Sequence, residues 1–345
     1  MKSLFLLGAL ISTALTAHEH HDHPTKTTPL VQGQQIYVGS GANQYKNIPN
    51  WGEVPKGSET IGWTHGGVII DQAGLIYVST NGDNTVIVYN AEGKIQRQFG
   101  KQWKGIHSML LKEEAGEEFI YAARLWGQEI VKFRLDGSLV WRLTGPPVQI
   151  DLYKNEAVKF KVTAVAVASN GDIFLADGYG TDLIHQYDKD RQYIRTFGGK
   201  GKESKHLNNA HGLLIDSSGD QELLIICDRG NRKIKRFNLD GTYLDTVNEG
   251  LQLPGSIVRW KNLYAVAELK GGIALLDQGF KFLVRLGENP NAQLRAKFDV
   301  APELWENGIF TAPHSCAFDS AGNLYIADWN KSGRIHKFIR KAGYL

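Results

Sequence analysis

Three histidines share a local setting. His107 in GIHSML, His211 in NAHGLL and His314 in APHSCAF each open an apolar run, and they recur 104 and 103 residues apart. Imidazole is a borderline-soft metal ligand, and three protein nitrogens plus one open position form the donor set of a catalytic zinc centre rather than a closed structural one. Such chemistry requires three distant segments to bring their rings to one point. Even spacing suits a closed ring of repeats.

The chain does repeat from Gly66 onward. Residues 67–100, GVIIDQAGLIYVSTNGDNTVIVYNAEGKIQRQFG, hold an apolar run, a D-x-x-G turn, a second run, an Asn/Gly/Asp loop, a third run, an E-G turn and a fourth. This is the pattern of four short antiparallel strands joined by tight turns. It returns from residues 107, 163, 211, 255 and 314. Six four-stranded copies with periods near 40 to 60 residues predict an all-β fold, a six-bladed β-propeller over residues 34–345 with blades radiating from a central channel. The last copy lacks a clear fourth strand, and Gln35-Ile-Tyr-Val-Gly39 lies orphaned before the first. Pairing the two predicts a ring closed by an N-terminal strand with no loose edge. Insertions at 144–161, 199–209 and 288–312 then become loops entering the next innermost strand, on a single face.

In a blade the first strand lines the channel, and its start shares a face with the end of the antiparallel second strand. The aligned copies place Gly66, His107, Thr163, His211, Gly255 and His314 at the first-strand entry. Histidine occupies every second blade, ~120° apart in a regular ring. His65 falls one residue out of register, and a one-residue slip sends a side chain to the opposite face, so it is left out. Blade-entry histidines could instead bond loop carbonyls. Three in alternation, when only 11 histidines occur and four of them lie at positions 18–23, favour a metal. The second-strand ends supply Asn81, Arg124, Tyr179, Arg229, Glu268 and Trp329. Tyr179 offers a phenol that a bound cation could ionise, and Arg229 a guanidinium that could hold a carboxylate; from chemistry alone both serve equally as rim residues. Asp177, Asp228 and Asp328 read as ties for their own loops.

With those residues in view, the chain resembles an NHL-type propeller and, within that group, peptidyl-α-hydroxyglycine α-amidating lyase, the lyase domain of peptidylglycine amidation. The resemblance covers about residues 60–341 and is carried by the alternate-blade histidines, by DGY at Asp177 to Tyr179 and by DRGNRKI at Asp228 to Ile234. It implies zinc at His107, His211 and His314, Tyr179 as the catalytic phenol and Arg229 as a site arginine. The implied reaction splits a peptidyl-α-hydroxyglycine into a peptide amide and glyoxylate. Two positions depart from that pattern: a second family arginine corresponds to Asn81, and the aspartate of a family calcium site corresponds to Ser315. Zinc is therefore the expected cofactor, and calcium (Ca2+) is not.

Composition bounds the remaining readings. Thirty-eight glycines, 13 Tyr and 14 Phe with 42% apolar residues describe a turn-rich, β-leaning globular protein. The formal charge of +3, with no Lys/Arg block, lacks the footprint of a nucleic-acid binder. Residues 1–17 read as a secretory signal peptide, with Lys2, an apolar stretch from Leu4 to Leu15 and a small-residue exit at Ala17. No other run has the length of a membrane span, so an exported protein, secreted or periplasmic, is expected. The segment 18–33 reads as a His-rich disordered tail whose imidazoles bind metal adventitiously. Cys227 and Cys316 fall in different repeats and are expected as two buried thiols.

The leading expectation is thus a zinc-dependent lyase acting on a small molecule or peptide. The rival is a non-enzymatic propeller that binds a protein or peptide through its face, with Trp103, Trp126 and Trp329 exposed near the rim. A calcium-dependent lactonase-type propeller would want acidic and Asn channel ligands instead of histidines.

Overall fold

Runs such as Ile76–Thr80 and Ile173–Ala176 are buried at every position, as strands covered on both faces must be. A computed structural model describes residues 30–32 and 35–341 of the chain. The stretch read as a signal peptide and the tail histidines lie outside the described residues, although Leu30–Gln32 of the tail segment forms a strand.

Five four-stranded antiparallel sheets and one six-stranded sheet make six blades. The innermost strands are Thr64–Ile70, Ile106–Glu114, Ala164–Val167, Ala210–Asp216, Pro254–Trp260 and Pro313–Phe318. Outer strands such as Ile95–Phe99 are largely exposed, so polarity rises from axis to rim. The described residues include short 3-10 turns but no α-helix, hence none long and apolar enough to cross a membrane.

Six apolar clusters replace a single core, each joining two neighbouring blades. Val68 and Val78 of blade one pack with Ala317 and Tyr325 of blade six, and Phe174 and Ile184 of blade three with Leu224 and Phe237 of blade four. Each blade is buried only by its neighbours, so the ring needs closure.

An N-terminal strand closes it, as expected, but a different one. Tyr45–Ile48 pairs with Arg334–Arg340 at Lys337↔Ile48 and Arg340↔Tyr45. Gln35–Val38, the strand expected there, lies one place further out and pairs at Tyr37↔Lys46. Only Tyr45 and Asn47 of the closing strand turn inward, and two alternate residues, one of them polar, make a weak strand signal.

Carboxylates at the second-strand ends fasten the long loops. Asp177 accepts from the Lys161 N–H at 2.5 Å, Asp228 from Asn208 at 2.7 Å, and Asp328 from Thr311 at 3.1 Å and Ala312 at 3.2 Å. Each thereby ties the loop that enters its blade, which brings all three insertions to one end of the ring. Cys227 and Cys316 are free and buried, as expected. Trp103 departs from expectation: it is 6% exposed and lies parallel to Phe133 in a core cluster. Trp126 is half exposed, and Trp329 is partly covered by Phe298.

Candidate functional site

His107, His211 and His314 converge at one mouth of the central channel. Their ring centroids stand 4.7 Å (His107–His211), 4.8 Å (His107–His314) and 4.8 Å (His211–His314) apart. All three are almost fully buried. Below them runs a cavity of about 280 Å³ with apolar walls that include Met109, Val165 and Leu213.

The backbone orients two of the rings. Nδ1 of His107 donates to the Thr163 carbonyl at 2.6 Å, and Nδ1 of His211 to the Gly255 carbonyl at 2.7 Å. A carbonyl only accepts, so the neutral ring carries its proton on Nδ1 and its lone pair on Nε2. Both Nε2 atoms lie 3.1 Å from the Tyr179 hydroxyl. One phenolic proton cannot serve two acceptors, so one lone pair is left over. The His314 ring is set against the Gly66 backbone of the next blade in the same way, although the contact falls short of ordinary hydrogen-bond geometry. Burial, with the neighbouring rings and Arg229 reinforcing it, holds the titration of all three far below the ordinary imidazole range. Neutral rings with inward lone pairs are the form in which histidine ligates a metal, and this donor set fits zinc.

Arg229 Nη2 donates to the Tyr179 oxygen at 3.3 Å, and its guanidinium lies 5.3 Å from the centre of the Tyr179 ring. The fold therefore brings together all five side chains expected at the site. Other second-strand ends are committed elsewhere. Arg124 bonds Glu129 at 2.6 Å and the Lys104 carbonyl at 2.8 Å. Asn81 accepts from the Gly105 N–H at 2.8 Å, and Glu268 holds Arg285 at 2.5 Å. Calcium does not fit. The Ser315 hydroxyl accepts from the Val68 N–H at 2.9 Å, and the channel wall offers no carboxylate among the described residues, whereas calcium takes six to eight oxygens rich in carboxylate.

His65, left out on register, joins the cluster. Its ring centroid is 4.6 Å from that of His107 and 4.7 Å from that of His314. The reason is a bulge. In blade two the pair Ile106↔Arg124 is followed by Ser108↔Ala123, one extra residue on the first strand; in blade one Thr64↔Thr80 is followed by Val68↔Val78, two extra. His65 thus follows its last pair before the bulge just as His107, His211 and His314 follow theirs. A bulge re-aims the side chains beside it. The Gly66-Gly67 doublet was the available signal: a Cβ on Gly66 would lie 1.6 Å from Ser79 Oγ, and one on Gly67 2.6 Å from the Met109 nitrogen. Desolvation, then the Arg229 charge, brings His65 down to about 4.

An aromatic wall stands over His65. Trp63 stacks on its ring at 5.9 Å and meets Trp126 at 5.6 Å and Phe298 at 5.0 Å, while Trp329 lies 5.9 Å from His65. On the other side of the site Tyr179 borders a groove walled by Leu152, Val158, Lys159, Lys161 and Lys200.

Peptidyl-alpha-hydroxyglycine alpha-amidating lyase 1 of Drosophila melanogaster is 29% identical to this chain over 203 residues, 53% of this chain and 35% of that protein. The match thus spans about a third of that relative's length. A streptogramin B lyase structure superposes with a TM-score of 0.57 at 13% identity, covering 89% of this chain and 98% of its own. Virginiamycin B lyase from Staphylococcus aureus gives 0.54 at 14% identity, covering 81% and 96%. No family model matches the chain. The chain is a six-bladed β-propeller that resembles peptidyl-α-hydroxyglycine α-amidating lyase in sequence and shares its fold with propeller lyases.

Proposed function

We propose that this protein is an exported, zinc-dependent carbon–nitrogen lyase of the peptidyl-α-hydroxyglycine α-amidating type. One observation carries the reading: the Tyr179 hydroxyl stands 3.1 Å from Nε2 of two convergent buried histidines, with Arg229 on the same oxygen. His107, His211 and His314 would hold the metal. The chemistry a bound zinc ion supplies is Lewis-acid polarisation of an oxygen donor.

Arg229 would pair with the carboxylate of the α-hydroxyglycine, fixing the reacting carbon beside Tyr179. The Tyr179 oxygen is placed to take the proton of the substrate hydroxyl and return one to the amide nitrogen as the C–N bond breaks, leaving glyoxylate and a primary amide. The groove beside Tyr179, with Lys159, Lys161 and Lys200 among apolar residues, would take the peptide. The Asp177 and Asp228 ties hold the backbone on which Tyr179 and Arg229 sit.

Incubation with a model α-hydroxyglycine peptide, followed by glyoxylate detection, tests the reading. Release that disappears in His211→Ala together with the bound zinc supports it. No release from zinc-loaded protein, or zinc content unchanged by His211→Ala in a protein whose tail histidines are replaced by alanine, overturns it. The half-exposed Trp126, packed on Trp63 at the same rim, favours as a second reading a module that binds a protein or peptide without turnover.

A further inference from the structure

We propose that His65 is a fourth protein ligand, making the centre a four-histidine site. This rests on the reading that His107, His211 and His314 bind a metal, and it goes beyond the three-ligand set by adding blade one. The ligand atoms of His65, His107 and His314 all lie within 4.8 Å of one another. Two triads therefore share the His107–His314 edge, with His211 on one side and His65 on the other. Nitrogens at tetrahedral zinc lie ~3.4 Å apart for bonds of ~2.05 Å, so the ligand atoms of His65, His107 and His314 would close on an ion by shifts of up to roughly 1 Å each.

Three further observations point the same way. His65 occupies the same place relative to its bulge as the other three histidines. It makes no hydrogen bond among the described residues, and its neighbour His314 has only a contact with the Gly66 backbone that falls short of ordinary hydrogen-bond geometry. The ring is only partly buried and has no protein partner among those residues, so its nitrogens are free to bind an ion at the centre. Trp63 and Trp329 flank the ring and hold it toward the centre rather than toward solvent. Tyr179 approaches from the His107–His211 edge, so His65 and Tyr179 do not compete for one position. The donor set becomes four neutral nitrogens, suited to zinc, copper or nickel, and a substrate oxygen would then have to enter as a fifth ligand, an expansion that zinc permits.

The test uses the full chain in a His18→Ala, His20→Ala, His21→Ala, His23→Ala background, which removes tail binding. Zn(II) affinity is measured by chelator competition, and Co(II) coordination by its visible absorption, for this protein and for its His65→Ala, His65→Gln and His211→Ala derivatives. Loss of a ligand should exceed the ~100-fold weakening typical of losing an outer-shell partner, so His65→Ala is expected to bind Zn(II) more than ~100-fold more weakly, with a changed Co(II) spectrum. Cu(II) bound to the parent is expected to show magnetic coupling to four imidazole nitrogens, a readout that does not depend on any His65 variant folding. Three coupled nitrogens, or His65 variants with parental affinity and spectrum while His211→Ala is impaired, overturn the fourth ligand and leave the triad standing. A parent that binds no Zn(II), Co(II) or Cu(II) overturns both.

Discussion

Arg229 grips Tyr179 twice, by a hydrogen bond of 3.3 Å to the hydroxyl and by a guanidinium 5.3 Å from the ring centre. The two residues leave the second strands of blades three and four, so their contact exists only where those neighbouring blades pack together. Under the proposed reaction they have separable duties. Tyr179→Phe should lower kcat by ~10²- to 10⁴-fold, the usual worth of a general acid–base, with little change in KM. Arg229→Ala should raise KM as well, and Arg229→Lys should recover part of it, since a point charge replaces the planar fork. Steady-state glyoxylate release separates these outcomes; equal loss of kcat alone in both variants would assign Arg229 only to positioning Tyr179.

Metal binding should stabilise the fold, because the rings come together only in the folded chain. At free zinc a hundred times the Kd, unfolding should cost about 2.7 kcal/mol more than in chelator. Urea melts of the protein lacking tail histidines, with and without zinc, should show this increment, and His314→Ala should abolish it.

Acid should destabilise the protein through its buried neutral histidines. His185 is fully buried, its ring nitrogens 2.9 Å from Tyr153 Oη and 2.7 Å from Thr196 Oγ1, and desolvation brings it down to about 3. The folded value lies below the unfolded value of about 6.5, so the unfolded chain binds more protons between the two. This contribution is complete above pH ~6.5 and is lost as pH falls toward ~3, by at most about 1.4 kcal/mol per pH unit. Urea midpoints at pH 4.5 and 7.5 should differ less in His185→Gln than in the parent; an identical pH dependence in the two would discount His185.

Lys235 is buried with its ammonium on the Glu203 and His206 carbonyls and 3.2 Å from Asp228 Oδ2. Asp228 in turn holds the loop nitrogen of Asn208 and directly precedes Arg229. Lys235→Met removes the cation beside a buried carboxylate that keeps its bonds from Asn208 and Asn231, and breaking such an ion pair costs up to about 3–5 kcal/mol. Chemical denaturation should show that loss, and kcat/KM should fall with it as Arg229 loses its anchor.

Closure makes a sharp demand on Tyr45, fully buried in the cluster between blades five and six. Tyr45→Ala should cost about 3–5 kcal/mol, the range for large aromatic truncations, while Tyr45→Phe, which keeps the ring, should stay within about 1 kcal/mol of the parent. Thermal melts of the two variants would show whether ring packing governs closure; equal losses would assign closure to the hydroxyl.

The repeat count, the closure by an N-terminal strand and the convergence of His107, His211 and His314 with Tyr179 and Arg229 were legible in the sequence. The repeats and the histidine alternation rest on short apolar runs and on turn residues at regular intervals, which are local properties written in neighbouring residues, whereas Tyr179 and Arg229 were singled out by the family resemblance. Tertiary structure decided the rest. Tyr45–Ile48 closes the ring because packing between blades selects among weak strands. Trp103 is buried because Phe133, 30 positions away, supplies the face it packs against. His65 reaches the channel because two extra residues and a glycine doublet bend the first strand, and the cost or benefit of that bulge is set by Ser79 and Met109 across the strands, whose approach no local pattern encodes.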